Sequence, residues 1–227
     1  DDTGPTMTIT SSTAATGATT ATAAFALTFT SNEATTDFIA DDITANSCTL
    51  SSLTGSSSTV YTATCAPADG ATASVLVAAE TFSDASSNDN SVSNTYSWTY
   101  DGTGPTMTIT SATVDSGSST TTAAIVLVYT SNEATTDFVE ADITETGCST
   151  GTFTATSSTV YGSTCTASSD GTPTVAVAAG AFNDASGNDN SVSNTYTWTY
   201  DSPSPTMAIT SATVSSGATT ATAAVSL

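Results

Sequence analysis

Apolar and polar residues alternate along much of this chain. Met7 and Ile9 share one side of a stretch whose other side is Thr6, Thr8 and Thr10. Phe25, Leu27 and Phe29 share a side, as do Val75 and Val77. Tyr96, Trp98 and Tyr100 do the same, opposite Thr95, Ser97 and Thr99. A period of two belongs to β-strands, whose successive side chains point to opposite faces. Helix formers are scarce: Leu and Glu are rare, and Lys, Arg and Gln are missing. About seven short strands fit the first hundred residues, at 5–11, 21–31, 35–44, 48–53, 60–66, 73–80 and 94–100, between clusters of Gly, Asn, Asp and Ser. In the four stretches above, one face is apolar and the other mostly hydroxyl. That predicts an all-β fold of two half-buried antiparallel sheets packed as a sandwich.

The pattern is spelled out more than once. "GPTMTIT" at 4–10 returns at 104–110 and, as "SPTMAIT", at 204–210. "SNEATTDF" at 31–38 returns at 131–138, and "DASSNDNSVSNTY" at 84–96 returns as "DASGNDNSVSNTY" at 184–196. Residues 1–100 and 101–200 agree at roughly 60% of positions, the self-similarity that marks a repeat array. One slip is local: an Asp-Gly pair stands at Asp69-Gly70 and then at Asp170-Gly171, with register recovered by Val75 and Val175. A unit of about 100 residues can bury its own core. The expected organisation is one repeat over 1–100, a second over 101–200, and the first two strands of a truncated third over 201–227. Leu227 corresponds to Leu27 and Leu127, inside an apolar stretch, so the chain reads as a window onto a longer array.

Charge narrows the partners. There are 21 acidic residues and no Lys, Arg or His. Nucleic acid and anionic membrane surfaces are excluded, because phosphate is neutralised by cations. A metal cation or a basic partner is the electrostatic match. No run of 18 or more apolar residues offers a membrane span. Charged residues make up only 9% of the chain, so Ser and Thr must keep its surface wet.

Cysteines recur in register: Cys48 and Cys65, then Cys148 and Cys165. Neither pair has C-x-x-C spacing, and no His completes a zinc site. Each pair reads as a disulfide within its repeat, which implies an oxidising, extracytoplasmic setting; two buried thiols per repeat is the alternative. If Cys48 lies directly opposite Cys65, Leu53 lies opposite Val60, and the disulfide pins that hairpin. Such a loop closure contributes ~3 kcal/mol in the chain-entropy description.

The opening "TGPTMTIT", the central "SNEATTDF" followed by "DIT", the late "VAAGAFNDASGN" and the closing "TWTYD" resemble the bacterial immunoglobulin-like repeats of large surface adhesins. The resemblance covers the whole chain. It implies tandem Ig-like antiparallel sandwiches serving as spacer modules in long extracellular stalks, some of them stiffened by calcium. The cystine and the lack of basic residues depart from that pattern.

Strand directions in such a sandwich bring three acidic segments to each repeat junction. At the junction of the two full repeats these are Asp101 from the linker, Glu133 and Asp137, and Asp184, Asn188 and Asp189. In the first repeat the counterparts are Glu33, Asp37, Asp84, Asn88 and Asp89. Such a set suits a hard cation such as Ca2+. Asp184, Ser186, Asn188 and Asn190 alternate like the first half of an EF-hand loop, but Asp189 stands where that loop needs glycine. The other reading is that Asp, Asn, Ser and Gly only build turns.

Catalysis lacks parts. No His or Lys is present to activate a Ser or Cys nucleophile. Tyr96, Trp98 and Tyr100 fit a core better than a sugar-stacking row. Thr6, Thr8, Thr10, Thr28, Thr30, Thr95 and Thr99 line outward faces and are candidate O-glycosylation sites. The expectation is a structural segment of an extracellular, cell-surface stalk, fibre or filament. Its partners are neighbouring repeats or further copies of the chain. The alternative is an adhesive region that itself holds a glycan or protein partner.

Overall fold

The computed structural model describes residues 2–35, 37–135, 137–219 and 221. The first repeat carries strands β1 (Met7–Thr10), β2 (Thr19–Thr20), β3 (Phe25–Ser31), β4 (Ile43–Asn46), β5 (Cys48–Gly55), β6 (Val60–Pro67), β7 (Thr72–Val77) and β8 (Tyr96–Tyr100). The second carries β9 (Met107–Thr110), β10 (Ser119–Thr120), β11 (Ala124–Ser131), β12 (Ile143–Thr146), β13 (Cys148–Ala155), β14 (Val160–Ala167), β15 (Thr174–Val177), β16 (Tyr196–Thr197) and β17 (Thr199–Tyr200). Two sheets form the first sandwich, in the orders β1-β3-β6-β5 and β2-β8-β7-β4. The second repeat has the same plan, with sheets β13-β14-β11-β9 and β12-β15-β16 and a separate β10-β17 pair. Its last strand is interrupted at Trp198. Pro173 stands where the first repeat has Ala73, which pairs with Trp98, and a proline has no N–H to give the ladder.

The alternation places the core. Met7, Ile9, Phe25, Leu27, Phe29, Val75, Val77, Tyr96 and Trp98 are all buried, with Phe38, Ile43 and Phe82 closing the cluster. Tyr100 is only half-buried, and its hydroxyl lies beside Gly102 of the linker.

Three expectations need correction. The seven expected strands omit β2: the expected first and second strands, β1 and β3, pair antiparallel, but between them the chain crosses to pair β2 in parallel with β8 of the opposite sheet. No single strand spans 35–44. Thr35 makes an isolated bridge to Asp84, and Ala40–Asp42 is a 3-10 turn ahead of β4. The Asp42 carboxylate accepts the Ile39 N–H (2.8 Å), and this local side-chain bond competes with the ladder. Finally, Cys48 lies opposite Pro67, and Leu50 lies opposite Cys65. A bulge between Ser51 and Thr54 shifts the register, with Ser52 at φ 57°. Val60 is taken by the turn, accepting from Ser56 N–H (2.9 Å).

The disulfides form, Cys48–Cys65 and Cys148–Cys165, each with Cα atoms 5.8 Å apart. They join diagonal neighbours on the inner face. β4 belongs to one sheet and β5 to the other, with a single residue between them, Ser47 (φ 56°) or Gly147 (φ 75°). The cystine therefore pins the corner where the chain changes sheet.

β1 is an edge strand, and its free side is sealed. Asn94 accepts from Ile9 N–H (2.7 Å) and donates to Ile9 C=O (3.0 Å). Asn194 treats Ile109 the same way. A side-chain amide thus occupies backbone groups that would otherwise template another strand. Residues 205–211, where a third copy's first strand is expected, pair with no strand among the described residues, and Met207 and Ile209 stand exposed. The partner expected at 221–227 lies outside the described residues apart from Ala221.

Candidate functional site

The junction is built from the end of β8, the linker 101–105 and the loop 184–190. Asp101 N–H donates to Thr20 C=O (3.0 Å), so the linker leaves a fixed strand end. Gly102 N–H donates to Asp69 Oδ1 (2.6 Å), and the Thr103 hydroxyl donates to the same carboxylate. Asp69 thus grips the linker from the preceding repeat. From the following repeat, Ser186 Oγ donates to Asp101 Oδ2 (2.8 Å), Asn188 Nδ2 to Asp101 C=O (2.8 Å), and Ser191 N–H to the carbonyl of buried Pro105 (2.9 Å). A Cβ on Gly104 would fall 2.0 Å from the Asp189 carbonyl oxygen, so only glycine lets the backbones come this close.

Asp184 organises the loop. Its Oδ1 accepts the Ser186 and Asn188 N–H groups (2.8 and 2.9 Å), and its Oδ2 accepts Asn188 Nδ2 (2.9 Å). Oxygens of Asp101, Glu133 and Asp184 lie within 4.8 Å of one another. Burial pushes the Asp184 carboxyl up, but the bonds from Asn188, Ser186 and Gly187 outweigh it and leave the group below its usual value of 3.8. Glu133 goes the other way: burial, then the charges of Asp184 and Asp101, push it above 4.5. An acid raised by folding costs stability when ionised, so stability rises as pH falls through the folded value toward 4.5. In chelator, the second repeat should therefore melt at a higher temperature at pH 5 than at pH 7. Glu133→Gln should shrink that difference; an unchanged difference would place its source elsewhere.

The other expected ligands stand outside the Asp101, Glu133 and Asp184 group among the described residues. Asp137 accepts from Asn183 N–H (3.1 Å) and Thr135 Oγ1 (3.0 Å), and Asp189 accepts from Asn183 Nδ2 (2.7 Å). In the first repeat Asp37 accepts from the Ser83 hydroxyl (2.9 Å). Asp84 accepts from the Ser86 and Asn88 N–H groups (both 2.8 Å) and from Asn88 Nδ2 (2.9 Å). Asp89 makes a backbone bridge with Ser83. Asp1, the counterpart of Asp101, lies outside the described residues, and among the described residues no comparable acidic group gathers around Glu33. Asn190 points into the core and bonds backbone groups only, which removes it from the alternating oxygen set. Thr6, Thr8, Thr10, Thr30 and Thr95 are exposed; Thr28 and Thr99 are half-buried, Thr99 against Thr72 (2.9 Å).

Sequence reasoning missed Asp69. It reads as half of an Asp-Gly turn, yet its carboxylate is the linker's anchor. The signal was the partner at the next junction: Asp170 Oδ1 accepts Ser202 N–H (2.7 Å) and Oδ2 accepts Ser202 Oγ (3.1 Å). The one-residue slip of the Asp-Gly pair is thus absorbed without losing the clasp.

The family described as bacterial Ig-like domain matches residues 1–100 and again 101–200. The chain belongs to this family. No curated protein matches the sequence. Among solved structures, Yersinia pseudotuberculosis InvD is 14% identical over 91% of this chain, with TM-score 0.37. Invasin, a bacterial integrin-binding protein, is 14% identical over 75% of this chain and 36% of its own, with TM-score 0.38. Domains 5–6 of the S-layer protein SbsC are 13% identical over 86% of this chain and 96% of theirs, with TM-score 0.25. The chain spans 61% of the InvD structure. Within these bacterial Ig-like repeats the cystine joins adjacent strands of one sheet, β5 with β6 and β13 with β14.

Proposed function

We propose that this chain is a spacer segment of an extracellular stalk, fibre or filament at the cell surface, and that its function is length and stiffness. One observation carries the reading: the linker is bonded backward to Asp69 and forward to Ser186, Asn188 and Ser191. A free hinge would leave those groups to water. Strands of about seven residues rising ~3.3 Å each make a repeat with its linker advance roughly 30–40 Å. Two cystines suit an oxidising exterior. Neighbouring repeats and further copies of the chain are the partners. The exposed threonines carry O-glycans in this reading, which mass spectrometry of protein from its native source tests directly. No catalytic role is assigned.

Calcium stiffens the junction further. The donor set fits: three carboxylates converge, and the chain has no cation of its own to neutralise them. Asn188 must then present its amide oxygen in place of the nitrogen. Small-angle scattering and thermal unfolding of the chain, in calcium and then in excess chelator, test this. A higher melting temperature and a longer, narrower particle in calcium are expected; no change in either removes the ion. Asp69→Asn with Asp170→Asn tests the clasp itself, in chelator, and should broaden the distribution of particle lengths. An unchanged distribution would remove the clasp as the source of stiffness. Thr103 and Gly102 hold the Asp69 carboxyl below 3.8. The clasp is therefore complete above that pH and is lost as pH falls through the lowered value.

A further inference from the structure

We propose that Glu145 shields the Cys148–Cys165 disulfide from thiol reductants, so that two cystines of the same spacing differ in redox lability. Glu145 Oε2 lies 3.9 Å from Cys165 Sγ, and the carboxylate oxygen and both sulfurs fall within 4.8 Å of one another. The carboxylate is held there. Thr150 N–H donates to Oε2 (2.7 Å), as does the Thr150 hydroxyl, which is itself 3.8 Å from Cys165 Sγ. Glu145 is half-buried and lines an open cleft with Glu140, Ala141, Ile143 and Thr150. Two of its lining residues, Glu145 and Thr150, are the ones next to Cys165 Sγ, so the cleft borders the buried cystine on the side the carboxylate occupies.

The first repeat is the internal control. Ala45 and Leu50 stand where the second repeat has Glu145 and Thr150, and both pack against the core. Among the described residues no carboxylates join Cys48 and Cys65 in a comparable group. The strand positions are the same: Leu50 pairs with Cys65, and Thr150 with Cys165.

Reduction is where a carboxylate at this place acts. A small thiolate attacks one sulfur, a mixed disulfide forms, and the other sulfur leaves as thiolate. A second thiolate then resolves the mixed disulfide. The reductant supplies two electrons and becomes a disulfide, while the protein thiolates take protons from water. Both the approach of the attacking anion and the departure of the leaving thiolate place negative charge beside Glu145. One unit charge about 4 Å away slows such a step several-fold through a mainly aqueous path, and about tenfold where part of the path is protein.

The test is dilute dithiothreitol at pH 8 and low ionic strength on the full chain, with alkylation and peptide mapping of each cysteine against time. Glu145→Gln keeps the size and the acceptor for Thr150 while removing the charge. It should speed opening of Cys148–Cys165 several-fold to about tenfold and leave Cys48–Cys65 unchanged. In 1 M salt the gain should largely vanish. Equal rates with and without Glu145→Gln would overturn the proposal. So would an acceleration that persists in high salt, because that is loosening of the corner. A variant-free check is the ratio of the two opening rates in the native chain, in which Cys148–Cys165 must gain on Cys48–Cys65 as salt is added; a salt-independent ratio would also overturn it.

Discussion

Replacing Phe138 with alanine should destabilise the second repeat by about 3–5 kcal/mol, a large part of the 5–15 kcal/mol that holds an ordinary domain. The ring is 4% exposed and stands at the centre of an aromatic cluster. It meets Tyr161 and Phe182 edge-on at 5.0 Å, Phe153 at 5.6 Å and Tyr129 at 5.9 Å. These partners come from β11, β13, β14 and the loop after β15. One ring therefore ties together segments that the chain presents far apart. Truncation removes the transfer energy of the ring, opens a cavity that rigid neighbours cannot fill, and forfeits edge contacts of roughly 0.5–1.5 kcal/mol each. Urea unfolding followed by Trp198 fluorescence in a Trp98→Phe background reads the second repeat alone. The effect should reach the junction, since Phe138 follows Asp137 and Phe182 precedes Asn183 and Asp184. A loss under about 1 kcal/mol would show that the cluster is not the repeat's core.

What could be read from the chain, and what could not, divides along the range of the interaction. The faces of β1, β3, β7 and β8 follow from alternation alone, because burying one side of a strand is a local decision. Register is not local. The expectation that Cys48 faces Cys65 took bonded cysteines to be directly opposite, whereas on this ladder they sit diagonally, two positions apart on one face, and a diagonal pair is still within reach. The bulges break the ladder at Ser52 and Thr152, which carry positive φ without the glycine that normally announces it. The expected strand over 35–44 failed for a similar reason: nothing in "FIADDIT" says that Asp42 will capture the Ile39 N–H. At the junction, strand directions are enough to bring Asp101, Glu133 and Asp184 together. They do not say that Asp137 and Asp189 turn to Asn183, because the residues that make Asx turns are the ones that ligate cations. Asp69 was hidden for the opposite reason. An Asp-Gly pair is such a strong turn signal that its second use, gripping a linker 33 residues away, leaves no local trace.

Asn190→Ala should cost about 3–4 kcal/mol, most of it from orphaned backbone. The side chain is 2% exposed, and all its capacity is spent on four main-chain groups. Its oxygen accepts from Ala181 and Phe182 N–H (2.7 and 2.9 Å), and its nitrogen donates to Ala178 and Ser191 C=O (both 2.8 Å). Alanine leaves two donors and two acceptors without partners, at roughly 1–3 kcal/mol for each that water cannot reach. Asn190→Asp separates hydrogen bonding from shape. An ionised carboxylate still accepts from Ala181 and Phe182, but it faces the Ala178 and Ser191 carbonyls with nothing to donate. It should be at least as damaging as alanine at neutral pH. Its folded pKa must then be raised, so stability should recover as pH falls and the acid regains one donor. Hydrogen exchange at the Ala181 and Phe182 amides gives the local readout: both should lose protection in Asn190→Ala, which has no acceptor for them, and keep more of it in Asn190→Asp, which has. Retained protection in Asn190→Ala would mean the amide is not what closes the loop. That loop carries Asp184, Ser186 and Asn188, so the same variants should also weaken the grip on Asp101. A residue with no ligand role then governs whether the junction holds, because the loop must first be folded before its carboxylate can be aimed.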